Sequence, residues 1–383
     1  MRTTTPFVWL RASTRPTIAE IDISAIRQNL RGVRKRVGPD VRIMAVVKAN
    51  AYGHGMTGVS TALEAADADA FGVAFPEEGA ELRNAGIRSS IHVFTLPAPT
   101  QLPLFIHHDL EATVATVRDV SLLQREAERL GKRVRVHIKI DTGMHRIGAR
   151  LAELPSLLKA LGRSRRIEVK GVFTHFATAD ERDKSFQRLQ LRRFEDALES
   201  LWKQGLVPED VHCANSATIL DLPEAAFTMV RPGIMMYGYY PSAETSESVS
   251  LKPAMALKSR VAMVKTIERG ASVSYGRRYI AKKRTRIATV PVGYADGYSR
   301  LLTNRASVLI GGRKRPIAGT ICMDQVMVDI GTDDVRPGDE VVVMGRQSNE
   351  TITAAEIART LGTIPYEVTC AVTARVPRIY KGL

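Results

Sequence analysis

The sequence predicts an α/β protein, an N-terminal (β/α)8 TIM-like barrel followed by a C-terminal mostly β domain. Three observations predict it. Eight apolar, strand-like runs between about residues 19 and 240 alternate with helical patterns, as expected of a parallel sheet wrapped by its crossover helices. After about residue 245 the texture changes to short strands parted by Gly, Pro and Asp, the mark of a mostly β domain. Polar residues able to do chemistry gather at the C-terminal ends of the barrel runs, where barrel active sites lie. A doubly wound sheet is the alternative that the alternation leaves open. The barrel is assigned to residues 17–245, the β domain to 246–383, and residues 1–16 to an N-terminal extension.

In chain order, the strand runs are "RIMAVV", "AFGVAF", "IHVFT", "LEATVAT", "VRVHIKI", "VKGVFTH", "DVHCA" and "FTMV". Their Val, Ile and Phe content suits a buried pleated surface. "ISAIRQNLRGVRKRVG" reads as a helix, with Asp22 or Ser24 as its N-cap and Gly38 as its stop. "SFQRLQLRRFEDALESLWKQG" is amphipathic from Ser185, read as its cap, to Gly205. In the second domain "LKSRVAMVKTIERG", "RIATVPVG", "RASVLIGG", "KRPIAGTICMDQVMVDIG" and "GDEVVVMG" are strands. "TAAEIARTLG" is the one clear helix there, with Thr353 as cap, Glu356 completing a capping box, and Gly362 as stop.

Composition bounds the function. The chain has 383 residues, 44% hydrophobic and 25% charged, long enough for two domains. It contains no apolar run near the ~20 residues of a membrane span. The apolar part of "MRTTTPFVWLRASTRP" is only Phe7–Leu10, short for a secretory signal. A cytoplasmic protein without a membrane partner is expected. Cys213, Cys322 and Cys370 are far apart and form no CxxC, so reduced thiols and no metal site are expected. The net charge of +15 raises the question of nucleic acid. The basic residues are scattered, however, and the short runs "RKR" and "AKKRTR" lack interleaved aromatics. Solvated basic faces and attraction for anionic small molecules explain the charge better.

The chemistry begins at "AVVKANAYGHG", residues 45–55. Lys48 ends a β-branched run and meets a loop punctuated by Gly53 and Gly55. A lysine partly desolvated there has a lowered pKa and an amine free to attack a carbonyl; taken alone, it reads as an ordinary solvated lysine. Lys139 and Asp141 end the fifth run, His175 the sixth and "HCANS" the seventh, while Arg231 and "PGI" follow the eighth. "NSA" and "RPGI" offer a hydroxyl and backbone N–H groups to a phosphate. His175 suits the face of an aromatic ring. Singly these are a structural histidine, a turn and a helix cap. Together an amine, a phosphate cradle and a ring contact point to pyridoxal 5′-phosphate (PLP) held on a lysine.

These blocks, with "DTGMHRIG", "THFATAD", "ANSA", "RPGIMMYG", "SYGRRY", "VPVGYADGYSR", "ICMDQ" and "RVPRIY", resemble in content and order those of the alanine racemases, fold-type III PLP enzymes, from about residue 17 to the end. The resemblance implies interconversion of L- and D-alanine, supplying D-alanine for peptidoglycan or catabolising it, by a head-to-tail homodimer whose sites combine both subunits. It implies that Lys48 holds PLP and is one base, with Tyr275 of the partner as the other. Tyr52, Asn215, Ser216, Gly233 and Ile234 grip the phosphate side of the cofactor. His175 lies near the ring and Arg231 faces its nitrogen. Arg146 and the Met323 N–H meet the substrate carboxylate. Lys139 matches a lysine carbamylated in some members, and Asp180, Tyr294 and Arg300 match residues of the entrance.

Chemistry agrees with these implied roles. Two bases on opposite faces exchange an α-proton without either having to travel. Tyrosine's ordinary pKa is ~10, so Tyr275 needs cationic or hydrogen-bonding neighbours to act near neutrality. An arginine scarcely gives up its proton, so Arg231 leaves the ring nitrogen unprotonated. One departure stands out: the family reads close to "SYRVPR" where this chain reads "TARVPR", with Ala374 at the tyrosine. A racemase of broader specificity, taking serine or basic amino acids, is therefore the alternative. Among other classes, a PLP barrel decarboxylase is disfavoured by the lack of a GPxC-like motif. A non-catalytic PLP carrier is disfavoured by the full second domain.

Overall fold

The apolar runs of the first part of the chain form a ring of parallel strands. The computed structural model describes residues 15–382; most of the expected N-terminal extension, residues 1–14, lies outside the described residues. Strand β1 (Ile18–Asp22) comes first. The ring follows as β2 (Arg42–Val46), β3 (Ala70–Val73), β4 (Ser90–Val93), β5 (Ala112–Val114), β6 (Val134–Lys139), β7 (Ile167–Phe173), β8 (Asp210–His212) and β9 (Met229–Val230). Pairing is parallel through β4-β3-β2-β9 and through β5-β6-β7-β8. The two sheets join where Val93 N–H donates to Glu111 O (2.9 Å) and Arg231 N–H donates to Ala214 O (2.8 Å). All eight expected barrel strands are present.

The strands are short, and they are buried wherever both faces are covered, the inner by the other strands and the outer by helices. β3 and β5 are buried at every position. The first helix, Ile23–Val37, turns Ala25, Ile26, Leu30 and Val33 inward, a 3.6-residue stripe. It stops at Gly38, whose φ of +87° suits glycine. The long helix runs Ser185–Trp202. Ser185 is its first helical residue and not its cap, because its hydroxyl donates to Asp183 (2.9 Å) instead.

The second unit comprises, among the described residues, 15–22 and Met255–Lys381. Its strands are β10 (Met255–Arg260), β11 (Met263–Ile267), β12 (Ser272–Val273), β13 (Tyr279–Ile280), β14 (Thr285–Val290), β15 (Ser307–Ile310), β16 (Arg313–Pro316), β17 (Val326–Gly331), β18 (Glu340–Gln347), β19 (Glu350–Ile352) and β20 (Arg378–Lys381). The main sheet is ordered β16-β15-β18-β10-β1-β20, and a smaller one β11-β14-β17. Gly311 and Gly312 (φ +60° and +73°) make the tight β15–β16 hairpin, which needs left-handed backbone at both central positions.

Two expectations change here. Residues 17–22 were expected with the barrel, yet β1 pairs antiparallel to β10 and parallel to β20; its alternating buried Ala19 and Ile21 suit a sheet covered on one face. The barrel unit also runs to Ala254, beyond the expected boundary at 245. The helix Ala354–Leu361 is capped by Thr353, whose hydroxyl accepts from Glu356 N–H (3.0 Å). Glu356 does not complete the box; its carboxylate takes Lys314 (2.9 Å), a charge partner outweighing one backbone donor. A second helix, Pro365–Cys370, was not anticipated. Among the described residues no helix is long and apolar enough to cross a membrane.

Candidate active site

In the barrel unit, Lys48 sits just beyond β2 and opens an unusual turn. Ala49, Asn50, Ala51 and Tyr52 all have φ between 52° and 54°. Left-handed backbone costs an L-residue roughly 1–2 kcal/mol, so four in a row need restraint. The Glu78 carboxylate accepts from Ala49 N–H (2.7 Å) with one oxygen and from Ala74 N–H (2.7 Å) with the other. Asn50 Oδ1 accepts from Met56 N–H (2.8 Å), and Gly53 N–H closes the turn onto Ala49 O (3.0 Å). Strain held this way is characteristic of functional sites. It brings Tyr52 inward, where its ring lies 4.9 Å from that of Tyr237.

A cradle forms where Tyr52, Ser216 and Gly233 meet. Ser216 Oγ accepts from Gly233 N–H (2.9 Å) and from Met235 N–H (3.4 Å). A Cβ at residue 233 would lie 2.5 Å from the Tyr52 hydroxyl, so only glycine leaves this space open. Ile234, fully buried, begins the turn that follows. Asn215 is occupied otherwise: its side chain caps the helix Ser216–Asp221 by accepting from Thr218 N–H (3.0 Å).

Arg231 lies behind the cradle, buried. Nη1 donates to His212 O (2.8 Å) and His212 Nδ1 (3.0 Å). Nη2 donates to Thr174 O (2.9 Å), His175 Nδ1 (3.1 Å) and Cys213 O (3.3 Å). Nε makes no hydrogen bond among the described residues, which leaves one strong donor. Burial pulls the guanidinium down to about 10. Burial, then the charges of Arg231 and Arg146, hold His175 well below the ordinary histidine range, and Lys48 adds to this; at neutral pH His175 is uncharged. Lys139, buried, donates to Ile140 O (2.8 Å) and lies 5.4 Å from the centre of the Phe173 ring. Burial and the Arg231 charge pull its ammonium down to about 7. Arg146 is exposed but close enough for its charge to act on Lys139, His175 and Arg231 alike. Asp180 is exposed, with its carbonyl accepting from Ser242.

These residues fit PLP on observations of this structure. A Cβ-free cradle beside two hydroxyls suits a phosphate, and an unused guanidinium N–H beside an uncharged imidazole suits a pyridine nitrogen and ring face.

The β unit carries the remaining candidates. Tyr275, 71% exposed, opens a short turn in which Ser274 and Arg277 have φ of +66° and +52°. Thr320 Oγ1 donates to the Tyr275 carbonyl (2.7 Å), and Ser274 Oγ donates to Thr320 O (2.6 Å). Met323 is half exposed, and its carbonyl accepts from Ala295 N–H (3.1 Å). Tyr294 N–H donates to Cys322 O (3.1 Å). Tyr294 and Arg300 line one hollow of this unit, Tyr275 and Cys322 another.

Sequence reasoning did not single out Glu78, Glu111, His92 or His137. Glu78 gave no signal. The others gave one: polar residues inside apolar strand runs, as in "VRVHIKI", whose inward faces form a layer within the barrel. His92, His137 and His212, and separately Glu111, His137 and Asp210, are grouped as metal ligands would be; hydrogen bonds engage them except at His92 Nδ1, which has no partner among the described residues.

Comparison with known proteins bears on all of this. A family model described as "Alanine racemase, N-terminal domain" matches residues 21–241, and "Alanine racemase, C-terminal domain" matches 254–380. The alanine racemase of Symbiobacterium thermophilum is 48% identical over 369 residues, covering 96% of this chain and 98% of that protein. Among solved structures, alanine racemase from Clostridium difficile 630 superposes with a TM-score of 0.93 at 38% identity, over 96% of each chain. That from Bacillus anthracis with bound L-Ala-P gives 0.92 at 38% identity, over 98% of this chain and 96% of that one.

Proposed function

The chain belongs to the alanine racemase family, and we propose from that premise how its own residues divide the work. Its activity is the interconversion of L- and D-alanine, and its family is PLP-dependent. When bound, PLP supplies an electron-withdrawing ring that acidifies the α-proton of an attached amino acid.

Lys48 holds the cofactor and serves as one base; Tyr275 is the other, working from the opposite face. Tyr52, Ser216 and the Gly233–Ile234 backbone bind the phosphate, with Asn215 shaping the loop from its capping position. Arg231 would donate to the cofactor's ring nitrogen and, reluctant to lose its proton, would leave that nitrogen unprotonated. His175 would lie against the ring. Arg146 and the Met323 N–H bind the substrate carboxylate. Lys139, with its amine brought near neutrality, takes up carbon dioxide as a carbamate and releases a proton; the new negative charge then orients Arg146. Asp180, Tyr294 and Arg300 line the entrance. The working unit is a homodimer in which Tyr275 and Met323 serve the partner's barrel.

The observation that carries this reading is the Tyr52–Ser216–Gly233 cradle built beside Arg231 and His175. It is tested by assaying the PLP-loaded protein with each alanine enantiomer. Interconversion in both directions is expected. A protein that binds PLP and interconverts neither contradicts the reading.

A further inference from the structure

A buried chain of hydrogen bonds continues behind Arg231. His212 Nδ1 lies 3.0 Å from Arg231 Nη1, and His212 Nε2 lies 2.9 Å from His137 Nδ1. His137 Nε2 lies 2.9 Å from a Glu111 carboxylate oxygen. None of Glu111, His137 and His212 is more than 1% exposed. The rings are fixed in place: His92 stacks on His137 at 4.0 Å and 15°, and Phe173 on His212 at 4.9 Å and 4°. Gly171 makes the room, since a Cβ there would lie 2.2 Å from His137 Nδ1.

The proton positions follow from the chemistry of the donors. A guanidinium only donates, so His212 Nδ1 accepts and its Nε2 carries the proton. That N–H donates to His137 Nδ1. His137 therefore carries its own proton on Nε2 and gives it to Glu111. Every donor meets an acceptor in this arrangement alone, with both imidazoles neutral and Glu111 ionised. Burial would raise the Glu111 carboxyl, but the hydrogen bonds from His137 and Ser90 and the Arg135 charge hold it below the ordinary carboxylate range.

We propose that Glu111 and His137 are positioning residues for Arg231. The fixed charge of Glu111 polarises the two imidazoles in series, strengthens His212 Nδ1 as an acceptor and locks the guanidinium in orientation. No proton moves along the chain. The proposal rests on the reading that Arg231 faces the cofactor's ring nitrogen.

The test is 15N NMR of histidine-labelled holoenzyme, with kinetics beside it. In the unaltered protein His137 and His212 are expected as neutral Nε2–H tautomers. Glu111→Gln, which keeps the shape and an acceptor but removes the charge, is expected to shift the His212 ring signals from two imidazoles away. It lowers kcat for alanine about tenfold, the order seen when a supporting hydrogen-bond partner is lost, and changes KM less than about twofold. Thr113→Val, which removes a buried hydroxyl bonded to His92 (3.0 Å), is the control and is expected to leave the His212 signals and kcat in place. A His212 proton on Nδ1, a doubly protonated His212, or unmoved His212 signals in Glu111→Gln overturn the proposal. If Glu111→Gln does not fold, the tautomers of the unaltered protein still decide. Intact tautomers with unchanged kcat in Glu111→Gln overturn the positioning role alone. Absence of racemisation in the unaltered enzyme instead removes the underlying reading.

Discussion

At the scale of single residues, burial decides what a side chain can do. Lys139 is the clearest case, since a solvated lysine has no use for a pKa near 7. The unmodified amine holds its proton less tightly in the folded chain (about 7) than in the unfolded one (10.5). Protonation therefore favours unfolding. Stability from this group is lost as pH falls from about 10.5 towards about 7, and the loss is constant below that. Lys139→Met removes the penalty. In buffers purged of carbon dioxide its thermal midpoint is expected to exceed the parent's most below pH 7, with the gap closing towards pH 10.5; a gap independent of pH contradicts this. Ala374, exposed on the β unit, raises a different question. It offers a methyl where the family's pattern has a phenol, a loss of one hydroxyl donor and of much volume. Ala374→Tyr is expected to raise kcat/KM for alanine relative to serine, lysine and arginine and to tighten PLP retention. Unchanged ratios and retention would mean that other side chains already fill the space.

At the scale of elements, the loop after β2 matters most. The sequence shows why a strand ends at Lys48 and why glycines follow at 53 and 55. It gives no reason for Ala49, Asn50, Ala51 and Tyr52 to be left-handed, because no local propensity favours that conformation. The restraint comes from Glu78, 29 residues beyond Ala49 in the chain, and a single sequence does not reveal that pairing. Glu78→Ala removes the acceptor of Ala49 N–H and Ala74 N–H. Hydrogen bonds to a charged group are worth ~1.5–3 kcal/mol each, so denaturant unfolding is expected to register a loss of about 3–6 kcal/mol for the two, with faster dissociation of PLP. Full stability in that variant would mean the turn holds itself. Elsewhere period and turn chemistry were sufficient: the eight barrel strands and the stop at Gly38 were all legible. The errors fell where a side chain had a better partner than the local backbone, as with Ser185 on Asp183 and Glu356 on Lys314. The assignment of β1 failed for another reason, since strand pairing across more than 230 residues leaves no local trace.

At the scale of the whole molecule, the candidates are divided between two units. Lys48, Tyr52, Lys139, Arg146, His175, Ser216, Arg231 and Gly233 belong to the barrel unit, Tyr275 and Met323 to the β unit. This division was readable from the sequence, because each motif fell on one side of the change in texture near residue 245. The proposed homodimer makes a specific demand. Mixing inactive Lys48→Ala and Tyr275→Phe chains, with subunit exchange shown, is expected to restore part of the activity, since one site of each mixed dimer receives both intact bases. No recovery counts against shared sites. The central claim is narrower still, that two different residues serve the two faces of the substrate. It is tested most directly in PLP-loaded Tyr275→Phe, by following alanine in D2O by NMR and chiral chromatography. With Lys48 as the remaining base, one enantiomer is expected to exchange its α-proton for deuterium with retained configuration. Racemisation should fall by ~100–10,000-fold, the usual contribution of a general acid–base group. Near-normal racemisation from both enantiomers would contradict it.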